Sequence, residues 1–196
     1  MKNTNYLQAL GASALLLAAA SAQAHTGHGT ESFAAGLTHP FLGLDHLLAM
    51  VAVGIWSVAA LPKTYRLAGP LVFVGMLLAG ALLAVTGLVL PQVELAVGAS
   101  VVLLGAMLLM IRRVGMAAGF ALVTVAALLH GYAHGSELIV GYSFAAYAVG
   151  FSLGSAALHG AGFGAGALLK RLPLWVGHTV AGLTSALGLV IVATRL

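Results

Sequence analysis

The sequence predicts an all-α, polytopic membrane protein: a bundle of six transmembrane helices that follows a cleavable N-terminal signal peptide. Of the 196 residues, 61% are hydrophobic and only 6% are charged, whereas soluble domains carry roughly a quarter of charged residues. Eight Lys and Arg and four Asp and Glu residues cannot solvate a surface of this size, so most of it must face lipid. The basic residues stand in ones and twos, which argues against a nucleic-acid partner. The chain has no cysteine and therefore no disulfide or thiolate metal site.

Residues 1–24 have the features of a secretory signal peptide. Lys2 precedes an apolar stretch from Leu7 to Ala20, and Ala22-Gln23-Ala24 fits a cleavage site. The alternative is an uncleaved helix, but the stretch is short for a crossing. Cleavage would leave a mature domain, 25–196, with His25 at its start and His28 nearby. The new α-amino group and these imidazoles could chelate a divalent cation, or form a flexible polar tail.

Six apolar runs follow, each long enough to cross a bilayer as a helix. They cover about 40–61, 69–90, 92–111, 115–135, 140–169 and 172–194. Short polar connections separate these runs. The first carries Lys63 and Arg66, the third Arg112 and Arg113, and the fifth Lys170 and Arg171. The positive-inside rule places these connections in the cytoplasm. Both mature termini are then on the external side, with Arg195 as the one basic residue on the wrong side.

Two further patterns concern how the helices sit and pack. Trp56 and Trp175 lie near predicted cytoplasmic ends, where we expect interfacial anchoring. Glycines spaced four apart predict close helix packing: Gly115/Gly119, Gly150/Gly154, Gly160/Gly164 and Gly162/Gly166.

Ionisable side chains inside the first span are candidates for function, because each costs several kcal/mol unless it is paired or faces water. With Pro40 in the first helical turn, His39 and His46 would lie within about 20° of one face, and Asp45 about 100° from its neighbour. We therefore expect these side chains to border one cleft at successive depths. For His39 an interfacial helix end is the alternative, and for Asp45-His46 a structural pair.

The fourth span supplies a second group at its outer end. His130 and His134 are four residues apart, the spacing that puts two metal ligands on one helix face. Glu137 continues that face if the helix persists. Since this span runs outward and the first runs inward, the two histidine motifs should meet at one depth.

Two histidines lie deeper. His159 falls near mid-membrane, and His178 about 9 Å from the cytoplasmic end. They are candidate relay positions, although a single buried imidazole is often only hydrogen-bonded to a backbone carbonyl. Carboxylate and imidazole ligands without sulfur suit Ni²⁺, Co²⁺ or Zn²⁺ better than Cu⁺, although Met50 keeps copper open.

The segments His39-Pro40-x-x-Gly43-x-Asp45-His46-x-x-x-Met50 and His130-Gly131-x-x-His134-Gly135-x-Glu137 closely resemble the HupE/UreJ family of bacterial nickel permeases and hydrogenase or urease accessory proteins. The resemblance extends over essentially the whole chain. It implies Ni²⁺ uptake across the inner membrane to supply hydrogenase or urease. It also implies roles for His39, Asp45 and His46 and, less directly, for His130, His134 and Glu137. Nickel comes from this resemblance alone, and Co²⁺ or another divalent cation stays an alternative.

Other functions compete with a permease. The main alternative is an accessory protein that binds metal for metalloenzyme maturation without moving it. A haem protein is less favoured, because His130 and His134 share one face and cannot straddle one iron, although His46 and His130 could. A metallohydrolase lacks the glutamate that zinc proteases place inside the histidine pair. We therefore expect no enzymatic activity and no prosthetic group. The absence of a nucleotide-binding motif excludes direct ATP drive, and a homo-oligomer is compatible with the sequence.

Overall fold

The computed structural model describes residues 33–137 and 143–196. Across these ranges the chain forms seven α-helices and one 3-10 turn, without a strand. The helices are α1 (Phe33–Leu42), α2 (Leu44–Ala60), α3 (Ala68–Val85), α4 (Val93–Leu109), α5 (Met116–Ser136), α6 (Phe144–Leu169) and α7 (Leu174–Ala193), with the 3-10 turn at Lys63–Tyr65. The predicted signal peptide, His25 and His28 lie outside the described residues.

Three helical segments of the described part are long and apolar enough to cross a bilayer: Lys63–Val85, Met116–Ser136 and Leu174–Ala193. Helices α1 and α2 together make a fourth candidate, which bends by 81° at a short break. Helix α4 is apolar but has 17 residues. The described residues thus form an all-helical structure with three to four such spans, and the six-span topology stays a prediction.

The first predicted span is not a straight helix. Pro40 does not open it, as the sequence suggested, because α1 begins at Phe33 and Pro40 lies near its end. Gly43 is extended (φ −87°, ψ 117°) and separates α1 from α2, so His39 and His46 do not share a helix face. A Cβ at Gly43 would lie 2.8 Å from Asp45 Oδ1 and 2.9 Å from His46 Nδ1. Glycine leaves the room that these two side chains occupy.

The helices pack in pairs through small residues. Helix α3 packs along α5, α4 along α7, and α6 along both α1 and α2. At Gly131 of α5 a side chain would collide with the Leu77 carbonyl of α3, so the two backbones touch. Of the predicted glycine pairs, Gly150/Gly154 and Gly162/Gly166 lie in helix contacts, whereas Gly160 and Gly164 face open space.

The two tryptophans differ in position. Trp56 is 1% exposed, and its ring packs 5.1 Å from that of Phe120. The anchoring prediction is therefore wrong for Trp56, which fills the core between α2 and α5. Trp175 is 68% exposed, as an interfacial residue should be.

Charged groups divide between the two ends of the bundle. Asp45, Glu94 and Arg195 form ion pairs at the end where α2 and α4 begin. Arg112, Arg113 and Lys170 line a common cavity at the opposite end. The histidine motifs belong to the first of these ends.

Candidate metal centre

Three histidines from three helices meet where α2 begins. His39 comes from the last turn of α1, His46 from the first turn of α2, and His134 from the last turn of α5. One ring nitrogen of each lies within 4.8 Å of the others. His46 and His134 are buried, and His39 is partly exposed. The bend at Gly43 folds α1 over the start of α2, which brings the His39 ring within 5.4 Å of the His46 ring.

Asp45 fixes the orientation and the tautomer of His46. Its Oδ1 lies 2.5 Å from His46 Nδ1 and accepts the His46 backbone N–H at 2.7 Å. Because an ionised carboxylate only accepts hydrogen bonds, His46 Nδ1 carries the proton and Nε2 keeps its lone pair. That Nε2 is buried without a hydrogen-bond partner. A carboxylate behind an imidazole is the arrangement that orients metal-ligating histidines and raises their basicity.

His130 lies beside this cluster, with its ring 4.8 Å from that of His46. Ser100 Oγ donates to the Val97 carbonyl at 2.7 Å and lies 3.1 Å from His130 Nε2. Since the hydroxyl proton is already used, Ser100 accepts from His130 Nε2–H. The lone pair of His130 is then on Nδ1, which is also buried without a partner.

Aromatic side chains of α6 hold His134 in place. Its ring stacks on Phe151 with centroids 4.9 Å apart and planes 5° apart. The Tyr147 hydroxyl lies 3.5 Å from His134 Nδ1, and His134 Nε2 is a further buried atom without a partner. An unsatisfied buried polar atom costs about 1–3 kcal/mol. Such nitrogens gathered at one place are typical of a ligand site.

The three nitrogens are close to, but wider than, a metal-bound geometry. Imidazole ligands at about 2.0–2.1 Å from one ion lie no more than about 4.2 Å apart. The nitrogens of His39, His46 and His134 are up to 4.8 Å apart, so they must close slightly around an ion.

Arg195 and two glutamates surround the cluster. Arg195 Nη2 lies 2.7 Å from Asp45 Oδ2 and 3.2 Å from Glu94 Oε2. Both Asp45 oxygens are therefore engaged, and the carboxylate stands behind His46 instead of among the three ring nitrogens. Glu137, just past the end of α5, has its Oε2 3.9 Å from His39 Nε2.

The two deeper histidines are not in the cluster. His159 is 1% exposed, and its Nδ1 lies 2.7 Å from the Ser155 carbonyl. The Phe73 ring contacts both His159 and His130, at centroid distances of 5.0 and 6.1 Å. His178 is exposed and lines the cavity at the opposite end. A relay through these two residues stays a prediction.

The sequence reasoning missed several residues that shape the site. Ser100, Tyr147 and Phe151 carry no sequence signal that separates them from packing residues. Arg195 did carry one, because it is the basic residue that violates the positive-inside pattern. Its position is explained by the carboxylates that it contacts.

Comparisons with known proteins agree with the two histidine motifs. A family model described as HupE / UreJ protein matches residues 13–192. The chain belongs to the HupE/UreJ family. It is 37% identical to Protein HupE of Rhizobium leguminosarum bv. viciae over 147 residues, which cover 75% of this chain and 76% of that protein. No solved structure matches this chain. HupE/UreJ membership confirms the resemblance seen in the two histidine motifs and, with the apolar helices, identifies a membrane protein.

Proposed function

We propose that this HupE/UreJ member is an inner-membrane permease that takes up Ni²⁺ to supply hydrogenase or urease. The observation that carries the proposal is the cluster of His39, His46 and His134, whose ring nitrogens lie within 4.8 Å of one another. Imidazole ligands without thiolate suit Ni²⁺ and its neighbours in the first transition row. Intramembrane ionisable groups that face one another are typical of ion pathways.

Each residue has a role in this proposal. Glu94 and Glu137 attract the cation at the periplasmic mouth, where their charge raises its local concentration. His39, His46 and His134 replace part of its hydration shell, with His130 as a neighbouring ligand. Asp45 holds His46 in its ligand tautomer. The proposed topology has six spans, a cleaved signal peptide and periplasmic termini. Its orientation in the membrane is inferred from the positive-inside rule.

A second candidate is an accessory protein that binds Ni²⁺ without moving it. The tightly packed apolar layer on the inner side of the cluster favours this function, because Val53, Phe73 and Leu104 are all 0% exposed there. A permease must open this layer. His159, whose Nε2 is buried without a partner, is the next imidazole that an inward-moving ion would meet.

Uptake of ⁶³Ni²⁺ into proteoliposomes that contain only this protein separates the two functions. After external EDTA removes surface-bound metal, a permease leaves radioactivity inside the vesicles that increases with time and with an inside-negative potential. His46→Ala should abolish this accumulation because it removes a ligand of the cluster. His178→Ala, far from the cluster, should leave the binding of Ni²⁺ at the cluster unchanged. Binding without accumulation in the wild type would support the accessory function and contradict the permease. Parallel loading with Co²⁺ tests the choice of metal.

A further inference from the structure

A cavity of about 700 Å³ lies at the end of the bundle opposite the histidines. It is bordered by the last turns of α2, α4 and α6 and by the first turns of α7. Its wall is apolar, with Ile55, Leu108 and Leu169 among the lining residues. This volume is within the range of about 300–1,000 Å³ that is typical of small-molecule sites.

Three basic side chains, Arg112, Arg113 and Lys170, also line this cavity, together with His178. They come from two connections that are far apart in sequence. In the described part of the chain the carboxylates are Asp45, Glu94 and Glu137, all at the other end, so no acidic side chain there neutralises this group.

Local contacts add to the positive potential. Burial and the nearby Arg66 guanidinium lower the pKa of Lys170, so Arg66 adds a further positive charge close to the cavity. Lys170 Nζ donates to the Val58 carbonyl at 2.5 Å, which leaves two N–H groups for another acceptor. Helix α7 begins at Leu174 on the cavity wall and presents the positive end of its dipole there.

We propose that this cavity binds one anionic phospholipid of the bilayer, with the phosphate held by Arg112, Arg113 and Lys170 and an acyl chain along the apolar wall. Basic pockets between membrane helices on the cytoplasmic side bind anionic headgroups, and Arg pairs with phosphate in a bidentate geometry. A free divalent cation is repelled by the same charges. The site is separate from the histidine cluster and does not depend on the metal function.

Native mass spectrometry of the detergent-purified protein tests the proposal, with phosphatidylglycerol and phosphatidylcholine of the same acyl composition as probes. We expect the wild type to retain one phosphatidylglycerol in preference to phosphatidylcholine. Arg112→Gln/Lys170→Gln should weaken retention about 25-fold, because each basic residue beside an anionic lipid contributes about fivefold. Lys63→Gln/Arg171→Gln removes the same charge at the same end, outside the cavity lining, and should retain the lipid.

A charge-neutral pair of variants tests the cavity itself. Gly177 lines the cavity, and a Cβ added there meets no atom within 4 Å, so Gly177→Leu should fill the space without disturbing the fold. Gly182→Leu, on the same helix and equally open, is the control. Loss of the lipid in Gly177→Leu and retention in Gly182→Leu support the site.

Three results would overturn the proposal. Equal retention of both lipids would show that charge does not select the ligand. Equal loss in the two charge pairs would indicate a diffuse electrostatic effect. A dimer that Gly177→Leu dissociates would mean that a second copy of the chain occupies the cavity.

Discussion

Asp45→Asn preserves the shape of a side chain on which the proposed metal site depends and removes its charge. One Asp45 oxygen accepts from His46 Nδ1 and the other from Arg195 Nη2. An amide has one acceptor oxygen, and its nitrogen only donates. Since a charged donor forms the stronger hydrogen bond, Arg195 should take the oxygen and leave the amide NH₂ facing His46. There it also opposes the His46 backbone N–H that Asp45 Oδ1 accepts in the wild type, which adds to the disturbance of His46.

The consequence for His46 is a change of tautomer. Nδ1 must then accept a hydrogen bond, so the proton moves to Nε2 and blocks the lone pair that would bind the ion. Loss of such an outer-shell partner typically weakens metal binding about 10- to 100-fold, which is about 1.4–2.8 kcal/mol. His46→Ala should have a larger effect, because it removes the ligand itself.

Isothermal titration calorimetry with Ni²⁺ in detergent measures this effect, and thermal unfolding checks that the variant is folded. Glu94→Gln is the matched control: it makes the same carboxylate-to-amide change at another partner of Arg195, without a contact to His46. We expect the affinity of Glu94→Gln to change less than about threefold, because the Glu94 side chain is 41% exposed and its charge is screened by solvent and salt. Wild-type affinity in Asp45→Asn would refute the tautomer argument. Equal losses in both variants would show that only the net charge matters.

The remaining tests concern a glycine, the coupling of two ligands and the mature N-terminus. In Gly43→Ala the new methyl group would lie 2.9 Å from His46 Nδ1, so calorimetry should show several-fold weaker Ni²⁺ binding, whereas Gly75→Ala, which faces open space, should bind normally. The His46→Ala/His134→Ala double variant should bind no worse than the weaker single variant, because either change dismantles a shared site; additive losses would indicate two sites. Mass analysis of membrane-purified protein should find His25 at its N-terminus, and an intact signal sequence would contradict the cleavage prediction.

Hydropathy and residue spacing are properties of the local sequence, and they predicted the fold class, the family and the meeting of the two histidine motifs. Apolar runs separated by short breaks predicted an all-helical membrane protein, because a backbone in lipid must satisfy its own hydrogen bonds. The His-Pro and Asp-His motif of the first span indicated the family, which the comparisons confirm. The opposite directions of the first and fourth spans predicted that their histidines meet, and the rings of His46 and His134 are 4.5 Å apart.

Local reasoning was wrong where backbone geometry intervenes. A straight first span was the simplest interpretation of an apolar run, but the extended backbone at Gly43 bends it by 81°. Trp56 is near a predicted helix end, yet the neighbouring α5 presents Gly119 to its ring and buries it. Neither result can be obtained from hydropathy, because the first depends on the backbone conformation at Gly43 and the second on which helix lies alongside Trp56.

The partners of the site residues depend on the packed bundle. Asp45 and Arg195 are 150 positions apart in sequence, and their ion pair forms only because α7 ends beside the start of α2. The same packing puts Ser100 on His130 and Phe151 on His134, and it leaves His178 at the far end. Sequence spacing fixes the face of a helix on which a histidine stands. Only the contacts between helices determine which nitrogen keeps its lone pair and what that nitrogen faces.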